Sequence, residues 1–184
     1  SRIMSGPPFV HFESAHIRPA TMTPSGDRLL VVNTPDGYLR VFDIASEPNP
    51  VPLADVPVGL EPVSVSCPDD STAWVVNWIS DNVSIVNLNT MHVRATLRVG
   101  DEPADVVFAN GKAYVSVSQE DVVKVYDQGT LAQVGTVAVN GRMPRALART
   151  VDGTQVYVAA FLGGNRATVL SPAEVPVDSM PIDP

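Results

Sequence analysis

The prolines at positions 62, 103 and 144 stand 41 residues apart, and each closes the same pattern, Gly-x-x-Pro: Gly59-Leu60-Glu61-Pro62, Gly100-Asp101-Glu102-Pro103 and Gly141-Arg142-Met143-Pro144. A degenerate copy, His16-Ile17-Arg18-Pro19, lies 43 residues before Pro62. Self-similarity at a period of roughly 20–50 residues constrains a fold more than local propensity does, because each copy must be one unit stacked on its neighbours.

Every copy continues in the same way. A short strand-like segment leads to a turn signal: Pro24-Ser25-Gly26-Asp27, Pro68-Asp69-Asp70-Ser71, Asn110-Gly111 or Asp152-Gly153. A second strand follows, Leu29-Leu30-Val31-Val32-Asn33, Ala73-Trp74-Val75-Val76-Asn77, Ala113-Tyr114-Val115-Ser116 or Val156-Tyr157-Val158-Ala159. A third alternates polar and apolar residues, as in Tyr38–Asp43, Val83–Asn87 and Val122–Asp127, the mark of a half-buried strand. A fourth, Arg94–Val99 or Gln133–Val139, returns to the next Gly-x-x-Pro. Four strands per period of about 41 residues define a blade of an all-β propeller, whereas a solenoid would need one strand per turn. Composition agrees: 31 valines favour pleated strands and 17 prolines exclude long helices. In the hinge, glycine is expected to supply freedom in φ, and proline to stiffen a strand's first position while removing a donor.

The segments Leu30-Val31-Val32-Asn33, Trp74-Val75-Val76-Asn77 and Tyr114-Val115-Ser116, each between a Gly-x-x-Pro and a Val-x-Val/Ile-x-Asp/Asn strand, resemble the YVTN β-propeller repeat over roughly residues 16–170. That family includes archaeal surface-layer proteins and bacterial exported proteins of the YncE type. No copy reads Tyr-Val-Thr-Asn in full, and Val117 and Ala160 replace the asparagine in the last two. The resemblance implies a ring of about seven blades and a location outside the cytoplasm. It does not imply an activity.

The expected organisation is an N-terminal segment 1–15 with a candidate closing strand, Phe9-Val10-His11-Phe12. Blades follow at about 16–58, 59–99, 100–140 and 141–170, then a Pro-rich acidic tail over 171–184 in which Val175-Pro176-Val177 could pair at an edge. About four blades are therefore visible. Further blades of a longer ring, a second copy of the chain, or closure of the four alone would each complete it, and the first is the expectation that the resemblance carries.

A net charge of −8 gives no attraction to nucleic-acid phosphates, and no apolar run approaches the ~20 residues of a membrane span. The first residues lack an apolar signal core, so no export signal is visible. Charge is unevenly spread: residues 41–93 hold seven acids and no Lys or Arg, while Arg142, Arg145, Arg149 and Arg166 crowd 141–170. These segments read as complementary edges or as solvated surface. The lone Cys67 reads as a bland, semi-buried thiol. His11, His16 and His92 do not cluster, and no haem, nucleophile-elbow or phosphate-loop motif occurs, so no metal, cofactor or catalytic residue is expected.

Blade topology places the loops after second strands and the blade-to-blade connections on one face. There the candidate binding residues are Trp78, Asp81, Glu61, Glu102, Arg142 and Phe161, with Trp78 first as an aromatic contact beside charges. Trp74 sits at the repeat's aromatic position and is expected in the core. The functional expectation is a non-enzymatic scaffold binding a protein, glycan or cell-surface partner. The alternative is an enzyme or electron-transfer subunit, like the lactonases and the quinone- or haem-linked dehydrogenases built on propellers. The first strands decide between these, and they offer only Asp105 as an inward carboxylate.

Overall fold

The computed structural model describes residues 15–163 and the backbone of 168–170. Strands β1 (Ala20–Met22), β2 (Arg28–Asn33), β3 (Tyr38–Asp43) and β4 (Val51–Pro57) form the first antiparallel sheet. Strands β5 (Pro62–Asp69), β6 (Thr72–Asn77), β7 (Asn82–Asn87) and β8 (His92–Arg98) form the second, and β9 (Pro103–Ala109), β10 (Lys112–Val117), β11 (Val122–Asp127) and β12 (Gln133–Ala138) the third. The fourth has three strands, β13 (Arg142–Arg149), β14 (Val156–Leu162) and β15 (Thr168–Leu170). Each sheet is a meander in sequence order, the blade of a propeller. The candidate strand Phe9–Phe12 and the segment Val175–Val177 lie outside the described residues.

Alternation places one row of each strand against the preceding blade and the other against the following one. Between blades 1 and 2, Leu30, Val32, Leu39, Val41 and Val56 meet Val65, Ala73, Val75, Val86 and Leu88. Between blades 2 and 3, Trp74, Val76, Val83 and Ile85 meet Ala104, Val106, Ala113, Val115 and Tyr126. Trp74 is 1% exposed, with its ring edge-on to Phe108 at 5.5 Å between centroids, as its position in the repeat predicts. Between blades 3 and 4, Tyr114, Val123 and Val125 meet Leu147, Val156 and Val158.

The hinge works differently from the expectation in one respect. The left-handed conformation falls on the residue before the proline, Glu61 (φ 50°), Glu102 (φ 54°) and Met143 (φ 56°), rather than on the glycine alone. Gly59 is required by close approach: a Cβ there would lie 2.7 Å from the Asn77 side chain. At Gly100 both reasons apply, since its φ is 113° and a Cβ would fall on the Glu120 carboxylate. Pro62 and Pro103 do open their strands.

Turn chemistry repeats on the opposite face. Asp43, Asn87 and Asp127 each accept hydrogen bonds from the backbone N–H groups two and three residues on, closing the loops between third and fourth strands. Hydrogen bonds from Ser46 and from the N–H groups of Ala45 and Ser46 hold the Asp43 carboxyl below its ordinary range. The N–H and hydroxyl of Thr130 do the same for Asp127.

Candidate functional site at the inner rim of the loop face

The first strands β1, β5, β9 and β13 line the inner rim of the arc. The third residue of each repeat, counting from the proline, faces this rim: Thr21, Ser64, Asp105 and Ala146. Asp105 is the one charged side chain fully buried among the described residues. Its carboxylate accepts the Ser64 hydroxyl at 2.6 Å from blade 2, the Leu147 N–H at 2.8 Å from blade 4, and the Val106 N–H at 2.9 Å. Arg18, preceding blade 1, donates to it at 3.1 Å and to the Leu147 carbonyl at 2.6 Å. Burial pushes the Asp105 carboxyl up from its ordinary range, and the Arg18 charge and these donors oppose that push. The carboxylate is thus committed to joining blades. The Arg18 backbone adds a parallel bridge to Ser64.

The expected loop face forms. Asp81 carries a left-handed φ of 56°, and its carboxylate accepts the Glu102 N–H at 3.2 Å, which pins the hinge into blade 3. Asp121 repeats the device one blade later, accepting the Met143 N–H at 2.7 Å. Glu102 accepts from Gln119 Nε2 at 2.8 Å, and Arg142 stands 3.8 Å from Asp121, both partners well exposed. The Glu61 carbonyl accepts the Trp78 N–H at 2.9 Å. Glu61 and Glu102 therefore lie in blade-to-blade connections, Arg142 opens β13, and Asp81, in the loop after β6, is in direct contact with Glu102.

Trp78 is not the exposed contact that its loop position suggests, since only 5% of it is accessible. The reason lies in the repeat. Thr34, Trp78, Ser118 and Phe161 occupy the equivalent position just after the repeated second-strand segment, and in blades 1 and 3 this position faces the next blade's first strand. Thr34 donates its hydroxyl to the Pro62 carbonyl at 2.7 Å, and Ser118 donates to that of Pro144 at 2.8 Å. Trp78 instead fills the rim with its ring, beneath Arg145. Phe161 is 70% exposed.

Arg145, on β13, is the residue that sequence reasoning left outside the site. Its guanidinium carbon lies 4.2 Å from the Trp78 ring centroid and 5.6 Å from that of Phe161. Its Nε is buried and lacks a hydrogen-bond partner, and no described carboxylate pairs with it. Aromatic faces hold the planar cation by charge–quadrupole attraction without using its N–H donors. The one available signal was that Arg145 follows the hinge proline, where the earlier repeats carry Ala20, Val63 and Ala104. Among the described residues, no group of three His, Cys, Asp or Glu side chains is placed to hold a metal ion. No helix there is long and apolar enough to cross a membrane.

Meandering four-stranded blades joined through a hydrogen-bonded inner rim define a β-propeller segment. Residues 4–170 match the family described as lactonase, seven-bladed β-propeller, and the chain belongs to that family. Among solved structures it is similar to hydrazine synthase of Kuenenia stuttgartiensis, with a TM-score of 0.78 and 22% identity over 94% of this chain and 50% of that one. It is also similar to a functionally unknown protein from Desulfotomaculum acetoxidans DSM 771, with a TM-score of 0.74 and 16% identity over 84% of this chain and 51% of that one. At these identities the likeness establishes the fold, and the chain spans about half the length of either structure. No curated protein matches it significantly by sequence.

Proposed function

We propose that this propeller segment is a recognition scaffold, acting outside the cytoplasm as surface-layer-like propellers do, whose loop face binds a protein or glycan partner through an anionic group of that partner. Arg145 carries the reading. It is a cation set over the Trp78 and Phe161 rings at the inner rim, with no carboxylate partner among the described residues, in a chain of net charge −8. Such an arrangement is preorganised for a carboxylate, whose two oxygens match the guanidinium edge. The exposed Phe161 ring adds an apolar contact beside it.

The test uses the two tryptophans as reporters, since Trp78 touches the proposed site and Trp74 does not. Titration with uronate oligosaccharides should change the fluorescence and saturate, and neutral oligosaccharides of the same length should not. Arg145→Gln should weaken binding about tenfold or more, the size of one lost charge-assisted hydrogen bond. Equal response to neutral and acidic sugars, or binding indifferent to Arg145→Gln, would remove this reading.

A second reading, lactone hydrolysis, is favoured by the family match. Against it stands Asp105, the buried acid of the inner strands, whose carboxylate is occupied by donors from three blades and by Arg18. Proton release from sugar lactones, abolished by Arg145→Gln, would favour the enzyme.

A further inference from the structure

Continuing the register Pro62↔Asn77 toward the loop face sets Leu60 opposite Ile79. Backbone groups hold the two segments together there: the Trp78 N–H donates to the Glu61 carbonyl at 2.9 Å, and the Leu60 N–H to the Ser80 hydroxyl at 2.7 Å. Leu60 is nevertheless 64% exposed and Ile79 52%. The same two places hold Asp101 and Gln119 in blade 3, and Arg142 with its register partner Leu162 in blade 4. Blade 2 thus presents two aliphatic side chains where the next blades carry at least one charged residue. Blades 1 and 3 already pack on both of its flanks, so no further blade is left to cover this pair. Paired exposed apolar side chains on an otherwise polar face mark a contact surface.

Carboxylates border the pair on both sides. The loop of Asp36 abuts the hinge, since the Val58 N–H donates to the Gly37 carbonyl at 2.9 Å. Asp81 follows Ile79 in one loop, and the hydrogen bond it accepts from the Glu102 N–H brings Glu102 and its neighbour Asp101 alongside. None of these carboxylates forms an ion pair with a described lysine or arginine. Arg98, on β8 in register with Asn82, is the one described cation of blade 2 at this end. The surroundings therefore favour positive charge around an aliphatic centre. Leucine and isoleucine have no hydrogen-bonding group and no planar face for a sugar ring, so they match an aliphatic side chain.

Given the loop face as a recognition surface, the reading on which this rests, we propose that its partner is a protein that sets an aliphatic side chain against Leu60 and Ile79. Lysines or arginines beside that side chain face Asp36 on one side and Asp81, Asp101 and Glu102 on the other. The contact has an apolar centre and a charged rim, the anatomy of a protein–protein interface.

Fluorescence anisotropy of labelled hexapeptides, acetylated and amidated at their ends, tests this with the full 184-residue chain. The peptide Lys-Ser-Leu-Leu-Ser-Lys should bind and saturate below about 1 mM. Serine in place of both leucines, or glutamate in place of both lysines, should weaken binding about tenfold or more. Leu60→Asn with Ile79→Gln, polar residues such as blade 3 carries at these places, should weaken the first peptide by a similar factor. The circular dichroism melt should stay close to the parent's, because both side chains are exposed. If that double variant loses its cooperative melt, Ile79→Lys reads the same pair. Equal binding of the three peptides, no saturation by the first, or binding indifferent to the double variant would overturn the proposal. The lysine peptides carry no anionic group, so the uronate titration reads Arg145 separately. A uronate response without peptide binding overturns this inference alone, and peptide binding without a uronate response removes the Arg145 reading alone.

Discussion

Blades 2 and 3 differ from blades 1 and 4 less in sequence than in what surrounds them. The strands β6 and β10 have five consecutive buried residues after the first, whereas β2 and β14 alternate between buried and partly or fully exposed positions. The repeat thus specifies the meander, its turns and its hinge, and neighbours on both sides specify the burial. Stability in such an array is a sum of unit and interface contributions, so interior blades should be the most resistant part. Asp105 strengthens the bias, because it ties blade 3 to blades 2 and 4 and to Arg18 before blade 1.

The largest effect should come from that node. Asp105→Ala removes the acceptor of four hydrogen bonds, leaving the Ser64 hydroxyl without its acceptor and the Arg18 charge without its counter-ion, held by the Leu147 carbonyl alone. A loss of roughly 3–5 kcal/mol is expected, the range for breaking a buried ion pair from one side. Urea unfolding measures it, and a loss below about 1 kcal/mol would mean that the blades cohere without the node.

A matched pair sharpens the comparison. Val75→Ala, in the sealed interface of blades 1 and 2, should cost about 2 kcal/mol, combining the lost transfer of two methyl groups with a residual cavity. Val31→Ala, the same substitution one repeat earlier on the open flank, should cost well under half of that at concentrations where the chain is monomeric. Equal costs would show that the blade 1 flank is covered in the single chain.

The smallest effect concerns ionisation at a covered flank. Burial, with Asp69 and Asp70 adding to it, pushes the Cys67 thiol up to about 12 from 9.0. Tyr126 moves the same way, to about 12 from 10.0, through burial and the Glu120 charge. In both cases the folded chain holds its proton to higher pH than the unfolded chain does. Stability is therefore full below pH 9 and declines as pH rises from there toward 12. Folded chain at pH 8 should alkylate slowly at Cys67 and rapidly once denatured. Fast alkylation of the folded chain would mean that blade 1 does not seal this edge of blade 2.

The fold was legible because spacing alone reveals a repeat: the four hinges, the turn signals and the aromatic position of Trp74 all lie in local sequence. The loop face was legible for the same reason, since topology assigns loops to faces without coordinates. Arg145 over Trp78 was not, because that contact joins residues 67 positions apart, across an intervening blade, and depends on side-chain reach. The burial of Trp78 was hidden too. Its counterparts are Thr34, Ser118 and Phe161, and only the structure shows that this position faces the next blade's first strand. Asp105 could be picked out as the inward carboxylate, but not its four donors, which come from segments before or within blades 1 to 4.

Native-state hydrogen exchange resolved by strand tests the contrast between interior and terminal blades most directly. At concentrations where the chain is monomeric, the amides of β6 and β10 should exchange only through global unfolding, and those of β2 and β14 earlier, through openings of lower free energy. Equal protection across all four strands would contradict it.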